Sequence, residues 1–218
     1  MKYDIILFDL DGTLTDSEKG IINSAAYALE SFGINLAEYN DLRRFIGPPL
    51  RDTFRDELGF SDEQTEVAIV KYRERFEKTG MLEENKMYAG ITELLEKLAM
   101  NDAKLGLATS KAKPYAVKIA EHFGFAKYFS YIGGAGMDGA GGAKKDVIAD
   151  CLENILQNEV YEKRVVMIGD RKHDVLGAKF HGLPCIGVLW GYGSREELVA
   201  AGADYIAETM EELWELLK

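Results

Sequence analysis

Two aspartates with one residue between them are the feature of this sequence with the clearest chemical meaning. Asp9 and Asp11 directly follow an apolar run, residues 5–8, which is typical of a strand buried on both faces. Residues i and i+2 of a strand point the same way, so we expect the two carboxylates to converge, and Gly12 permits a sharp turn. Like charges this close repel each other unless a cation lies between them or one takes a proton. The segment therefore predicts a metal or acid–base site, with an Asx-type turn that only caps the strand as the alternative.

A second acidic pair follows another apolar run, residues 165–168. Asp170 comes two residues after this run, and Asp174 lies one helical turn further along on the same face. Taken alone, the pair also fits an aspartate that caps a helix and one that lies in its first turn. Carboxylates from two separate strand ends are hard oxygen donors, so together with the first motif they predict a Mg²⁺ site.

Two further segments could bind a phosphate group. Thr109, Ser110 and Lys111 directly follow a third apolar run, which places a hydroxyl and backbone N–H groups at the same rim of the sheet. Lys144 begins a helical pattern and could balance two carboxylates and a phosphate, although most single lysines are simply solvated. Lys145 is its rival for this role.

A glycine-rich run, residues 134–142, precedes these two lysines. It contains the pattern G-x-G-x-x-G after a strand, but no tight helix start follows Gly139. We therefore interpret the run as a flexible loop that positions Lys144 and not as a dinucleotide site.

Short apolar runs alternate with helical patterns along most of the chain. The runs are residues 5–8, 105–108, 128–132, 165–168 and 185–188. Apolar residues recur at helical spacing at Ile91, Leu94, Leu95 and Leu98 and again at Met210, Leu213, Trp214 and Leu217. Such alternation is typical of βαβ units around a parallel sheet and predicts an α/β fold.

Residues 15–84 break this alternation, because they show helical patterns and no convincing strand. Apolar stripes occur at Ile21, Ala25, Leu29 and Phe32, and at Val67, Val70 and residues 72–76. So long a helical stretch exceeds a simple crossover between strands. We expect a helical domain over residues 15–84, inserted into a domain formed by residues 1–14 and 85–218.

The composition limits the classes of partner. The 218 residues carry 37 Asp+Glu against 26 Lys+Arg, a net charge of −11, which disfavours nucleic acid and membrane surfaces. Two cysteines, Cys151 and Cys185, are too few for the disulfide bonds that stabilise a small secreted protein. With no signal-like segment and no stretch of about 18 uncharged apolar residues, we expect a cytoplasmic protein.

These motifs together resemble those of the haloacid dehalogenase superfamily, in its phosphoglycolate-phosphatase-like branch. The resemblance rests on Asp9-Leu10-Asp11-Gly12-Thr13-Leu14, on Ala108-Thr109-Ser110-Lys111, on Lys144 and on Gly169-Asp170 through Asp174, with Trp190-Gly191-Tyr192-Gly193 also familiar in this branch. It covers nearly the whole chain and implies a Rossmann-like, doubly wound parallel sheet with an inserted α-helical cap of type C1. In many relatives a proline follows the third-motif lysine, whereas Lys145 stands here.

The resemblance implies a Mg²⁺-dependent phosphatase that acts on a small phosphorylated metabolite through an aspartyl-phosphate intermediate. Asp9 is then the nucleophile, Asp11 the acid and base, and Thr109 and Lys144 hold the transferring phosphoryl group. Further contacts to the substrate are expected from Gly12, Thr13 and Ser110. The implied Mg²⁺ ligands are the Asp9 carboxylate, the Asp11 backbone carbonyl and Asp170, with Asp174 in support.

Residues 43–55 are the segment expected to choose among esters. Arg43 and Arg44, beside a rigid turn at Gly47, could contact the leaving group. The alternative is that most of the arginines lie on a solvated face and pair with acidic neighbours; the residues concerned are Arg43, Arg44, Arg51 and Arg55 with Asp41, Asp52 and Asp56.

Two other functions also fit these motifs. A sugar phosphomutase would use the same first motif and return the phosphoryl group to another hydroxyl. A non-catalytic module would bind Mg²⁺ or phosphate without a reaction. The sequence leaves open the physiological substrate and the oligomeric state.

Overall fold

The structure is a computed structural model and describes residues 1–36, 42–157 and 164–218. Its strands are β1 (Ile5–Phe8), β2 (Thr15–Asp16), β3 (Lys86–Met87), β4 (Lys104–Ala112), β5 (Phe129–Ala135), β6 (Val165–Gly169), β7 (Cys185–Val188) and β8 (Tyr205–Ala207). Its α-helices are α1 (Glu18–Glu30), α2 (Leu50–Asp52), α3 (Asp62–Arg75), α4 (Ile91–Ala99), α5 (Lys113–His122), α6 (Lys144–Leu156), α7 (Lys172–Phe180), α8 (Arg195–Ala201) and α9 (Met210–Leu217). No helix in the described ranges has the length and apolar character needed to cross a membrane.

Six parallel strands form one sheet in the order β5-β4-β1-β6-β7-β8. β1 lies in the middle, where Phe8 is level with Leu107 of β4 and with Ile168 of β6. The chain builds β4 and β5 on one side of β1 before it crosses to β6 on the other side, which is a doubly wound arrangement. The predicted α/β, Rossmann-like parallel sheet is therefore confirmed. The carboxyl ends of β1, β4 and β6 share one edge of this sheet.

The core lies around the middle strands. All four residues of β1 are fully buried, as expected for a continuous apolar run. Ile5 and Leu7 pack in one cluster with residues of α6, among them Cys151. Both cysteines are buried and free. The helical spacing in α4 is also confirmed, because its apolar residues are buried at Ile91, Leu94, Leu95 and Leu98.

Two strands extend further than the sequence predicts. β4 continues to Ala112, so Thr109, Ser110 and Lys111 lie within this strand instead of following it. β5 likewise takes in the first two residues of the glycine-rich run. Apolar residues mark only the buried part of a strand, and the polar residues beyond give no such signal. The strands β2, β3 and β8 have two or three residues each, too few for a period-two pattern.

Contacts divide the chain into two compact units, Met1–Thr15 with Met87–Lys218, and Asp16–Lys86. The Asp16–Lys86 unit contains α1, α2 and α3. It also contains a 3-10 helix and two π-helical segments, which span Leu42–Phe45, Thr53–Glu57 and Phe76–Gly80. The chain passes between the units at β2 and β3, which pair as a separate two-stranded sheet. β2 is thus a short strand where the sequence predicts none.

The apolar stripe predicted in α1 is buried, whereas the stripe predicted around α3 is buried only in part. Ile21, Ala25 and Leu29 of α1 are buried. Val67 and Val70 of α3 are 47% and 62% exposed, which corrects the first part of the second stripe, whereas Tyr72 and Phe76 are buried as expected. The buried residues of α3 are Thr65, Ala68, Ile69 and Tyr72. These four follow the spacing of a single helix face, but a polar threonine begins the row and hides it from a hydropathy pattern.

Candidate active site

Three polar side chains lie where the middle strands of the sheet end. Asp9 directly follows β1, Asp170 directly follows β6, and Thr109 is in the last part of β4. The Asp9 N–H donates to the Ile168 carbonyl at 2.9 Å, which extends the contact between β1 and β6 by one residue. In open α/β sheets, ligands bind at this carboxyl edge.

Three buried carboxylates form a cluster at this edge. Asp9, Asp170 and Asp174 each place one oxygen within 4.8 Å of the other two. Asp174 reaches the cluster from the first turn of α7. All three residues are at most 5% exposed. The structure therefore brings together three of the four residues for which the sequence predicts a metal-binding role.

One buried ammonium group lies between two of these carboxylates. Lys144 is the first residue of α6, and its Nζ is 2.8 Å from Asp9 Oδ1 and 2.8 Å from Asp174 Oδ1. Lys145 points elsewhere, because its Nζ lies 5.1 Å from the centre of the Phe180 ring. Of the two rival lysines, Lys144 is the one in contact with the cluster.

The cluster carries an excess of buried negative charge. Burial raises the pKa of Asp9 to about 6, with Lys144 opposing this rise and Asp174 adding to it. Burial and the charges of Asp174 and Asp9 raise the pKa of Asp170 well above its ordinary value. Burial alone would lower the pKa of Lys144, but Asp174 and Asp9 raise it, so the lysine stays charged. Three hard carboxylate donors beside one ammonium group fit a divalent cation.

The Asp170 carboxylate is fixed by two hydrogen bonds. The Tyr192 N–H donates to its Oδ2 at 2.8 Å, and the Thr13 hydroxyl donates to its Oδ1 at 3.2 Å. Gly12 and Gly191 permit this approach, because a Cβ at these positions would lie 2.2 and 2.5 Å from Asp170 Oδ2. Gly191 and Tyr192 belong to a segment familiar in the family that the motifs resemble, but the sequence alone predicts no individual role for them. The sequence signal that could have indicated a role is their position just after the buried strand β7.

Asp11 contacts a different lysine from Asp9. Its Oδ2 lies 2.9 Å from Lys111 Nζ, and these side chains are only 12% and 8% exposed. The expected convergence of the Asp9 and Asp11 carboxylates stays a prediction; the charge of Asp11 is among those that raise the pKa of Asp9. β1 ends at Phe8, so the alternation of a strand does not extend to Asp11.

Thr109 is buried with its hydroxyl oxygen already in use as an acceptor. The Lys111 N–H donates to Thr109 Oγ1 at 3.2 Å, so the hydroxyl hydrogen is left for another acceptor. Ser110, next to it in β4, is half-buried. Gly134 at the start of the glycine-rich run lets β5 pack beside this segment, because a Cβ there would lie 2.7 Å from the Lys111 carbonyl oxygen.

Arg43 and Arg44, the arginines predicted to contact the leaving group, lie in the Asp16–Lys86 unit. Within that unit, Arg43 Nε is 2.5 Å from Glu18 Oε1, and Arg44 is half-buried in the same 3-10 helix. Gly47 has a φ of +105°, a value that favours glycine. The other two arginines form ion pairs, Arg51 with Glu66 and Arg55 with Asp56 and Asp52. Asp41, an expected partner, lies outside the described residues.

Comparison with known proteins identifies the family. A family model described as haloacid dehalogenase-like hydrolase matches residues 6–188. The chain belongs to the haloacid dehalogenase-like hydrolase family, as its motifs predict.

Individual relatives cover most of the chain. A 5'-nucleotidase of Pseudomonas aeruginosa is 43% identical over 92% of this chain and 89% of its own length. The tyrosine-protein kinase PtkA of Mycobacterium tuberculosis is 40% identical, with 98% and 72% covered. A phosphoglycolate phosphatase of Vibrio parahaemolyticus is 28% identical, with 98% and 95% covered. The crystal structure of a predicted phosphatase from Clostridium acetobutylicum matches with a TM-score of 0.90 at 44% identity, covering 99% and 98%. The predicted class of enzyme, a phosphoric monoester hydrolase similar to phosphoglycolate phosphatases, is confirmed at this level.

Proposed function

We propose that this protein is a Mg²⁺-dependent phosphatase that hydrolyses a small phosphomonoester through a phosphorylated Asp9. The observation that supports this most is the contact of Lys144 Nζ with both Asp9 and Asp174, at 2.8 Å each, in a buried cluster that also contains Asp170. A phosphoryl group is anionic and needs fixed positive charge before it can approach a carboxylate. Lys144 supplies that charge directly beside the proposed nucleophile.

The proposed reaction has two steps. In the first, an Asp9 carboxylate oxygen attacks phosphorus in line, the bond to the ester oxygen breaks, and Asp11 donates a proton to that oxygen. In the second, Asp11 takes a proton from water, and the water oxygen attacks the phosphorus of the aspartyl phosphate. The second step releases inorganic phosphate and regenerates the Asp9 carboxylate.

Other residues of the same edge bind the transferring oxygens in this proposal. Thr109 donates the hydroxyl hydrogen that its contact with Lys111 leaves available, and Lys144 contributes its ammonium group. Gly12, in the turn after β1, and Ser110, in β4, also contact the phosphoryl oxygens in this proposal. Thr13 acts through Asp170, because its hydroxyl donates to that carboxylate at 3.2 Å.

The proposed Mg²⁺ ligands are the carboxylates of the buried cluster. Asp9, Asp170 and Asp174 would hold the ion together with the Asp11 backbone carbonyl. When bound, Mg²⁺ neutralises charge between the nucleophile and the phosphoryl group. The hydrogen bonds from Thr13 and Tyr192 keep the Asp170 carboxylate oriented for this role.

Mg²⁺ should raise the thermal unfolding temperature of the wild-type protein, because it binds the folded cluster. In Asp170→Asn we expect this increase to be lost. In chelator, the variant itself should unfold at a higher temperature than the wild type, since burial raises the pKa of the carboxyl that it removes. Its amide can still accept from the Tyr192 N–H and donate to the Thr13 hydroxyl.

Differential scanning fluorimetry with Mg²⁺ and with chelator measures both effects. Asp138→Asn is the matched control, because Asp138 is exposed and accepts a local hydrogen bond from the Ala140 N–H. An equal Mg²⁺-dependent increase in Asp170→Asn and in the wild type would contradict the metal assignment.

Release of inorganic phosphate from a panel of esters, with Mg²⁺ and with chelator, tests the proposed function. Nucleoside 5'-monophosphates lead the panel, because the 5'-nucleotidase relative shares 43% identity with this chain. Phosphoglycolate, sugar phosphates, pyrophosphate and a phosphotyrosine peptide complete it. We expect Mg²⁺-dependent release and a ranking of these substrates by kcat/KM.

The alternatives give different results in the same assay. A phosphomutase would isomerise a sugar phosphate with little net release of phosphate. A non-catalytic module would bind Mg²⁺ or phosphate and convert no ester. Either result would contradict the proposed hydrolysis.

We also propose that the Asp16–Lys86 unit discriminates among esters through Arg43, Arg44 and the turn at Gly47. The cluster residues recognise only the phosphoryl group, so discrimination must come from elsewhere. Arg43→Ala or Arg44→Ala should raise KM for phosphoglycolate, whose leaving group carries a carboxylate, and barely change KM for a neutral aryl phosphate. A lost charge-assisted hydrogen bond costs roughly 1.5–3 kcal/mol, so the specificity ratio should move about tenfold to a hundredfold.

Steady-state kinetics on the two substrates measures this ratio. Arg55→Ala is the control, because Arg55 is partly exposed and pairs with Asp56 at 2.6 Å. Equal effects on both substrates would show that Arg43 and Arg44 only stabilise their own unit.

A cytoplasmic location stays a prediction. The support for this location is that both cysteines are buried and free, which fits a reducing compartment.

A further inference from the structure

A second lysine contacts the proposed acid–base residue. Lys111 Nζ lies 2.9 Å from Asp11 Oδ2, and both side chains are nearly buried. Lys111 belongs to the second motif, but the proposed reaction gives its side chain no role. Each aspartate of the first motif thus contacts its own lysine: Asp9 contacts Lys144, and Asp11 contacts Lys111.

Local contacts hold the segment of β4 that carries Lys111, where the pairing with β5 shifts register between Ala108 and Ala112. β4 continues to Ala112, and the Lys111 N–H donates to Thr109 Oγ1 at 3.2 Å. On its other side β5 approaches so closely that a Cβ at Gly134 would lie 2.7 Å from the Lys111 carbonyl oxygen. The backbone of Lys111 is therefore fixed to the strand that also presents Thr109.

We propose that Lys111 is a positioning residue for Asp11, a role that rests on the proposed function. Both proposed proton transfers, to the ester oxygen and from water, pass through the Asp11 carboxyl group. Such a transfer needs the carboxyl oxygen within hydrogen-bond reach of the oxygen that gains or loses the proton. The contact with Lys111 at 2.9 Å restricts where the Asp11 carboxyl group can lie.

The test compares two leaving groups. The leaving group of phenyl phosphate needs a proton, whereas the phenolate of 2,4-dinitrophenyl phosphate leaves without one. We expect Lys111→Met to slow single-turnover release of phenol from phenyl phosphate by about tenfold to a hundredfold, the size of effect that misplacing a catalytic group causes. Release of dinitrophenolate should change little, and KM for both esters should stay near the wild-type value.

Three further single variants and one double variant complete the experiment. Lys111→Arg keeps the positive charge and should restore part of the rate with phenyl phosphate. Lys113→Met is the matched control, because Lys113 lies two residues further along and donates to the Tyr131 hydroxyl at 2.8 Å. In Asp11→Asn, adding Lys111→Met should slow phenol release no further, because the group that Lys111 positions is already gone.

Each outcome decides between the roles. Equal slowing of both esters, a raised KM with unchanged rate, or an additive effect in the Asp11→Asn background would overturn the positioning role. The same holds if Lys111→Met leaves both rates unchanged. If Asp11→Asn itself slows both esters equally, the acid role of Asp11 in the proposed function fails, and the role of Lys111 fails with it. Selective slowing in Asp11→Asn without selective slowing in Lys111→Met overturns only the inference about Lys111.

Discussion

Replacing Asp9 by asparagine is expected to lower kcat by at least about a thousandfold while the protein stays folded. An amide cannot attack phosphorus, so the aspartyl phosphate cannot form. The fold should persist because Lys144 keeps its contact with Asp174 at 2.8 Å. Burial also raises the pKa of Asp9 to about 6, so the variant removes a carboxyl that resists ionisation in the folded state.

Steady-state phosphate release measures the loss of kcat, and circular dichroism checks the fold. Asp16→Asn is the matched control in the same segment, because Asp16 pairs with Lys86 at 3.2 Å and is not part of the cluster. Mass spectrometry of the wild-type enzyme, quenched during turnover, should find one added phosphoryl group on the peptide with Asp9. Turnover near the wild-type rate in Asp9→Asn would end the proposal that Asp9 is the nucleophile.

The parts of this fold that the sequence predicts are those with continuous apolar runs. The predicted bounds of β1 and β7 agree with the structure, because every residue of these strands is buried and the pattern has no gap. The positions of Asp9 and Asp170 just after two such runs then place both residues at the same edge of the sheet. That inference needs only the rule that parallel strands end at a common edge.

The partners of individual side chains could not be predicted in the same way. The contact of Asp11 with Lys111 depends on how the chain turns after Phe8, and no periodicity describes a turn. The support of Asp170 depends on Gly191 and Tyr192, which come from a distant part of the sequence. Such contacts follow from the register of the whole sheet, which a local pattern does not contain.

Replacing Lys144 by methionine is expected to be the most damaging change to the stability of the site. The substitution keeps much of the apolar stem but leaves Asp9 and Asp174 without their shared ammonium group, and it removes the hydrogen bond to the Ala108 carbonyl. Breaking a buried ion pair costs about 3–5 kcal/mol of the free energy of unfolding. Without the positive charge that holds the phosphoryl oxygens, kcat should also fall by at least about a hundredfold.

The pH dependence of this loss has a definite sign in chelator. The pKa of Asp9 is raised from 3.8 to about 6 in the folded protein, and removing Lys144 takes away a charge that lowers it. The folded state of the variant therefore binds a proton more tightly than the unfolded chain, so its stability decreases as the pH rises through this range. We expect Lys144→Met to be closest to the wild type near pH 4 and furthest from it above pH 6.

Urea unfolding at a series of pH values, with chelator present, measures this difference. Lys145→Met is a close control, because it removes the same charge one residue away, from an exposed lysine whose Nζ lies over the Phe180 ring. It should change neither kcat nor the pH dependence of stability. If both variants lost activity equally, or if Lys144→Met were as stable as the wild type above pH 6, the buried ammonium would not be the group that balances Asp9 and Asp174. The assignment of this role to Lys144 instead of Lys145 would then be wrong, despite the 2.8 Å contacts of Lys144 Nζ with Asp9 and Asp174.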